Sequence, residues 1–268
     1  MNIIETIQTY RELIWNLVAR DLKGRYKGSV LGFLWTILTP LFMAIIYIFF
    51  LRLIAGRGVP IQNEDIIIGV FAWQFTVQCV STGTSCISGS ANLVKKVYFP
   101  RILMPLSITL SALINFLLML VVQFIIVAVL LFREGGMLDL WTIAVPVIVL
   151  YHFLFNFSLV MLVSAANVYF RDTQHVVNLF LSAWFFMSPV MYTFALVQTM
   201  TADLPRLQQL YLLNPLAVII SGYRSLQLPG AEFPWSNAAL LGWLWPAGLL
   251  IIAYMIFQRA QRNFSDML

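Results

Sequence analysis

Long apolar runs separated by short polar clusters set the pattern of this chain. Six runs, at 31–51, 66–90, 102–132, 140–170, 176–194 and 238–257, each have about the 20 residues a helix needs to cross a bilayer. Pro40 falls inside the first and Ser188-Pro189 interrupts the fifth. Residues 3–22 follow another rule. Ile3, Ile7, Tyr10, Ile14 and Leu17 recur every three or four positions, whereas Glu5, Glu12, Arg20 and Lys23 point elsewhere. That spacing predicts an amphipathic helix lying in the membrane interface rather than through it. Residues 195–236 carry Pro205, Pro215, Pro229 and Pro234 around apolar runs too short to cross, such as 216–220. They predict half-helices that dip into the outer leaflet or cap its mouth. The expected fold is an all-α integral membrane protein in one domain. It has an interface helix and basic stop (1–28), spans one to five (31–194), an outer gate segment (195–236) and a sixth span (238–257).

Composition agrees. The 268 residues are 61% hydrophobic and 10% charged, against roughly 25% charged in soluble domains. Glu5, Arg11, Glu12 and Arg20 break any apolar core of a cleavable leader. With six spans and both termini in the cytoplasm, eleven of the 16 Lys and Arg residues fall on the inner side, as the positive-inside rule asks. The outer side holds Arg52, Arg57, Arg133, Arg206 and Arg224. These cations sit in clusters beside spans. They suit anionic membrane lipids and give no nucleic-acid footprint.

The second and third spans are joined by Asn92–Pro105, a short basic and aromatic segment. Its composition predicts a helix over 92–97, a break at Phe99-Pro100 and a new span from about Arg101. Two readings fit: a topology anchor with snorkelling lysines, or a rigid knuckle on which a soluble partner pushes. Chemistry is otherwise sparse. There is no phosphate-binding loop, no metal motif and no acidic pair within a span. Cys79 and Cys86, seven apart on one helix, are about 10 Å apart and read as packing residues. His152 alone could serve a proton relay, or a structural hydrogen bond. The spans are rich in aromatic rings, among them Trp35, Tyr47, Trp184 and Tyr192. A subset facing a lumen would offer a smooth wall on which the CH faces of sugars slide.

A further set of motifs carries a resemblance. Arg20-Asp21-Leu22-Lys23-x-Arg25-Tyr26-Lys27, with Leu31-Gly32 and Trp35 following, is joined by Asn92-Leu93-Val94-Lys95-Lys96-Val97-Tyr98-Phe99-Pro100-Arg101. Asn167–Asp172, Ser188-Pro189-Val190-Met191-Tyr192 and Leu213-Asn214-Pro215 complete the set. Nearly the whole chain resembles the permease subunits of type-2 ABC exporters of polysaccharide, nearest the O-antigen/lipopolysaccharide branch. One departure is Ile102, which follows Arg101 where an acidic residue is expected.

The resemblance implies a transport subunit, not an enzyme, in the bacterial inner membrane. It implies a homodimer with two separate ATPase subunits. No cofactor binds this chain, and ATP and Mg lie in the ATPases. The cargo is an undecaprenyl-diphosphate-linked glycan moved outward. Asn92, Leu93, Lys95, Lys96, Val97, Tyr98, Phe99 and Arg101 become ATPase-coupling residues. Spans one and five line the conduit, with Trp35, Pro40, Tyr47, Trp184, Met191 and Tyr192 as candidates. Arg20, Lys23 and Arg25 could draw in the lipid diphosphate, or simply orient the first span. The alternatives are a permease of the same build for another cargo (capsule, teichoic acid, drug or lipid) and a membrane-embedded acyltransferase using His152.

Overall fold

The computed structural model describes residues 5, 8–55, 62–97 and 99–268, and among them the chain is helical with no strand. Ile3, Ile7, Tyr98 and residues 56–61, with Arg57, lie outside the described residues. Helix α1 (Arg11–Tyr26) runs four residues past the expected end at residue 22, through the basic stop. It is followed by α2 (Leu34–Ala55), which contains Pro40, and α3 (Asn63–Thr84). A 3-10 turn at Ser88–Ser90 leads into the short α4 (Ala91–Lys96), and then α5 (Leu103–Arg133) begins. A 3-10 stretch, Leu140–Ala144, opens α6 (Val145–Tyr169). After α7 (Thr173–Met187) come three short helices, α8 (Phe194–Met200), α9 (Pro205–Leu212) and α10 (Pro215–Gln227). Helix α11 (Asn237–Ala260) and a terminal hook, α12 (Phe264–Met267), end the chain.

Among the described residues, five helices are long and apolar enough to cross a membrane: Leu34–Leu53, Asn63–Thr84, Leu103–Arg133, Leu140–Tyr169 and Asn237–Asn263. The expected fifth span differs. Its helix has 15 residues, about 22 Å of rise against a hydrocarbon core of about 30 Å. Pro189 sets this length, because the residue before a proline is pushed out of the helical region. Ser188 is accordingly extended, with φ −115° and ψ 150°. The helix end is not left bare. Asn214 Nδ2 donates to the carbonyl of Met187 and to Ser188 Oγ, both at 2.9 Å. The expected second span also stops early, at Thr84 rather than residue 90.

α3 is the central helix, buried along most of its length between α2, α5, α6, α7 and α10. Two of its glycines are there for contact. A Cβ on Gly83 would lie 2.6 Å from Val160 Cγ1, and one on Gly69 would lie 2.2 Å from the Val190 carbonyl oxygen. Three apolar clusters organise the rest of the described residues. The largest fills the middle of the bundle. A second sits at the α4 end, where Ile14, Val18, Val94, Phe99, Val168, Phe257 and Phe264 meet. A third, smaller one holds α9 and α10 against the start of α11. Helix α10 is the least expected element. Residues Leu216–Ile220 are fully buried, so this short apolar run is core.

Candidate coupling surface and conduit

The Asn92–Pro105 segment folds as a helix, break and new helix, close to the expected boundaries. Its faces are divided. Asn92, Lys95, Lys96 and Val97 are exposed, while Val94 and Phe99 are buried in the α4-end cluster and Leu93 packs against it. The exposed set can meet a partner, whereas Phe99 holds the segment to its base. The base is polar as well. Asn167 Nδ2 donates to Ser88 Oγ at 2.9 Å and Arg20 Nη2 to Ser90 Oγ at 3.4 Å, just ahead of α4. Arg101 Nη1 donates to the Gln261 carbonyl at 3.2 Å, and Tyr169 Oη to the Ala260 carbonyl at 2.9 Å. A cation at the carbonyl end of α11 is favourably placed. Arg101 thus has a main-chain acceptor despite Ile102. Cys86 is buried beneath this region, and burial pushes its thiol up to about 12.

The cations near the first span are not equivalent. Lys23 is exposed. Arg25 Nε pairs with Asp21 Oδ2 at 2.8 Å, and Arg25 Nη2 donates to Thr82 Oγ1 at 3.3 Å. Ser111 Oγ donates to the same Asp21 oxygen. Arg25 therefore fastens α1 to α3 while lining an open groove between α2 and α3.

Trp35 is exposed on that groove, and Pro40 is buried within α2. Tyr47 stacks obliquely on Phe185 at 5.3 Å between ring centres. Trp184 packs edge-on against Trp73 and Phe155, and its Nε1 donates to Asn214 Oδ1 at 3.0 Å. Met191 is half-buried against the main cluster. Tyr192 Oη donates to the Phe186 carbonyl at 2.8 Å.

His152 is fully buried, packed against Phe75, Phe116 and Tyr223, with Nε2 2.7 Å from Thr76 Oγ1. That is the geometry of a core histidine.

Two residues were given no structural role by the sequence reading. Arg224, counted above as an outer-loop cation, is buried in α10 and 4% exposed. Its Nε lies 3.3 Å from Asp65 Oδ1. Its guanidinium also donates to the carbonyls of Asp65 (2.7 Å), Tyr192 (2.9 Å) and Val190 (3.2 Å). It ties the start of α3, the break after α7 and α10 into one unit, far from α4. Asn214 is the second: it caps α10 by accepting from the Leu216 amide at 3.1 Å, besides the three bonds already given. The Asn-Pro pair was the available signal for this cap.

The described residues form a bundle of apolar helices with a small basic helix between two of them, the build of a multi-pass membrane protein. The profile of the family described as ABC-2 type transporter matches residues 12–228, and the chain belongs to that family. It is a multi-pass membrane protein and a transport subunit. It is 31% identical over 271 residues to the O-antigen export system permease protein RfbA of Myxococcus xanthus, covering 99% of each chain. It is 28% identical over 260 residues to the RfbA of Klebsiella pneumoniae, covering 96% of this chain and 95% of the relative.

Proposed function

We propose that this chain is the permease half of an ATP-driven exporter. It moves a lipid-linked polysaccharide of the O-antigen kind from the cytoplasmic to the outer face of the bacterial inner membrane. It acts as a homodimer with two separate ATPase subunits, which supply the ATP and Mg sites. The near-full-length match to two permeases named for O-antigen export carries this reading. Both termini and α4 are cytoplasmic, and the exposed Asn92, Lys95, Lys96 and Val97 receive the ATPase stroke, together with Tyr98. The α2–α7 side forms the conduit wall. The break after α7 and the helices α8 to α10 form its outer gate. The Lys and Arg bias toward the α1 and α4 end supports this orientation.

Deleting the gene in its native bacterium tests the reading. Surface polysaccharide should disappear while lipid-linked glycan accumulates on the cytoplasmic side, and a plasmid copy should restore both. Unchanged surface polysaccharide would overturn it.

A further inference from the structure

Helices α3, α5 and α6 meet at a cluster of rings in the middle of the bundle. Phe75 stacks on Phe116 at 4.5 Å between ring centres, and the His152 ring lies 4.9 Å from the first and 6.2 Å from the second. Beside this cluster each helix carries a side-chain amide. Gln78 follows Phe75 by three positions, Asn115 precedes Phe116 by one, and Asn156 follows His152 by four. Each amide is therefore within about 6 Å of its ring along the helix axis. All three lie on the α4 side of the rings. Helix α3 runs toward α4, α5 runs away from it, and Asn167 near the end of α6 bonds to Ser88 just ahead of α4.

These amides lack partners. Asn115 and Asn156 are fully buried, and neither Oδ1 nor Nδ2 of either has a hydrogen-bond partner among the described residues. Gln78 Oε1 is likewise buried and unpaired. Their neighbours differ. On α5, Ser111 donates to Asp21 and Gln123 to Gln227. On α6, Ser164 donates to the Met161 carbonyl and His152 meets Thr76. A buried amide without a hydrogen bond is costly, and most of all within the hydrocarbon layer, where bulk water does not reach.

The unpaired atoms select what can join them. A cation would meet three amide oxygens, but it would leave both Nδ2 groups unpaired and set a charge within a span with no carboxylate in the set. An anion would leave the oxygens unpaired, and an acyl chain would pair nothing. Water both donates and accepts, and its share of about 30 Å³ asks for the least room. We infer that the junction of α3, α5 and α6 is a binding site for ordered water. The water is held by the amides of Asn115 and Asn156 and donates to Gln78 Oε1, so that it joins the three helices beside the rings.

The test uses the purified permease with its ATPase in lipid nanodiscs. Electron cryomicroscopy at about 2 Å should show rounded density about 2.6–3.2 Å from the amide atoms of Asn115 and Asn156. Bare amides there, or a direct bond between the two side chains, would overturn the site. Asn115→Leu and Asn156→Leu keep the side-chain size and remove the amide. Each should lower the thermal midpoint by about 2–4 °C, and the double variant should lose less than the sum, because the two amides share water. A leucine that raises the midpoint would mean that the amide it replaced was dry, and full additivity would mean that no water is shared; either overturns the site. Replacing sodium and potassium by choline should leave the wild-type midpoint unchanged. A fall would mean that a metal cation, not water, occupies the junction. The density measurement needs no variant, so a substitution that fails to fold leaves the test intact.

Discussion

Arg224 and Asp65 form a buried ion pair, 3.3 Å between Nε and Oδ1, across 159 residues of sequence. The carboxylate is only part of the grip. The same guanidinium satisfies three main-chain carbonyls, two of them in the irregular 190–192 segment. Non-helical backbone at membrane depth needs such partners, and a planar fork of donors suits several at once.

Arg224→Ala should therefore cost about 3–5 kcal/mol, as breaking a buried charge pair does. Asp65→Asn should cost less, because the carbonyl bonds of Arg224 survive. Arg224→Lys should stay near the alanine variant, since one ammonium cannot reach all three carbonyls. The thermal midpoint of the purified complex, followed by loss of the monodisperse peak, gives the ranking. An Asp65→Asn effect larger than that of Arg224→Ala would contradict it.

Close helix approach makes a second prediction. Gly83→Ala should destabilise by about 1–3 kcal/mol through overpacking, since the new Cβ would meet Val160 at 2.6 Å. Val160→Ala in the same chain should recover much of that loss, a coupling that a double-mutant cycle reads. Gly24→Ala, with no described atom within 4 Å, should instead stabilise α1 by about 0.5–1 kcal/mol.

Cys86 offers a chemical readout of the α4 base. Burial raises its thiol to about 12, so at pH 8 roughly one molecule in ten thousand carries the reactive thiolate. Maleimide should leave Cys86 unlabelled in the folded complex at pH 8, and label it once denaturant returns the thiol to its ordinary range near ~8.5. Labelling of the folded protein at the free-thiol rate would mean that the α4 base opens readily.

The apolar runs made the long helices legible, because length and hydropathy decide what crosses a bilayer. The helix, break and new helix around Phe99-Pro100 were legible too, since proline acts locally. The sequence reading ran α3 six residues too far and the fifth span seven residues past its helix. In both places apolar or small residues continue after the backbone has turned. Arg224 could not be read. A lone arginine beside short apolar runs looks like a loop charge, and only the fold brings Asp65 and the 190–192 carbonyls to it. The pairing of Arg25 with Thr82 across α1 and α3 was invisible for the same reason. The division of α4 into buried Val94 and exposed Lys95 and Lys96 likewise depends on cluster residues such as Phe257 and Phe264, at the far end of the chain.

The central claim is that a separate ATPase drives glycan through this permease by way of α4. Reconstituting the complex in proteoliposomes and following ATP-dependent movement of lipid-linked glycan tests it directly, with Lys95→Glu/Lys96→Glu beside the wild type. The account predicts ATP-driven export by the wild type, and a variant that inserts, keeps Cys86 protected and hydrolyses ATP without moving glycan. Export at the wild-type rate by the variant, or glycan movement by the permease without any ATPase, would contradict it.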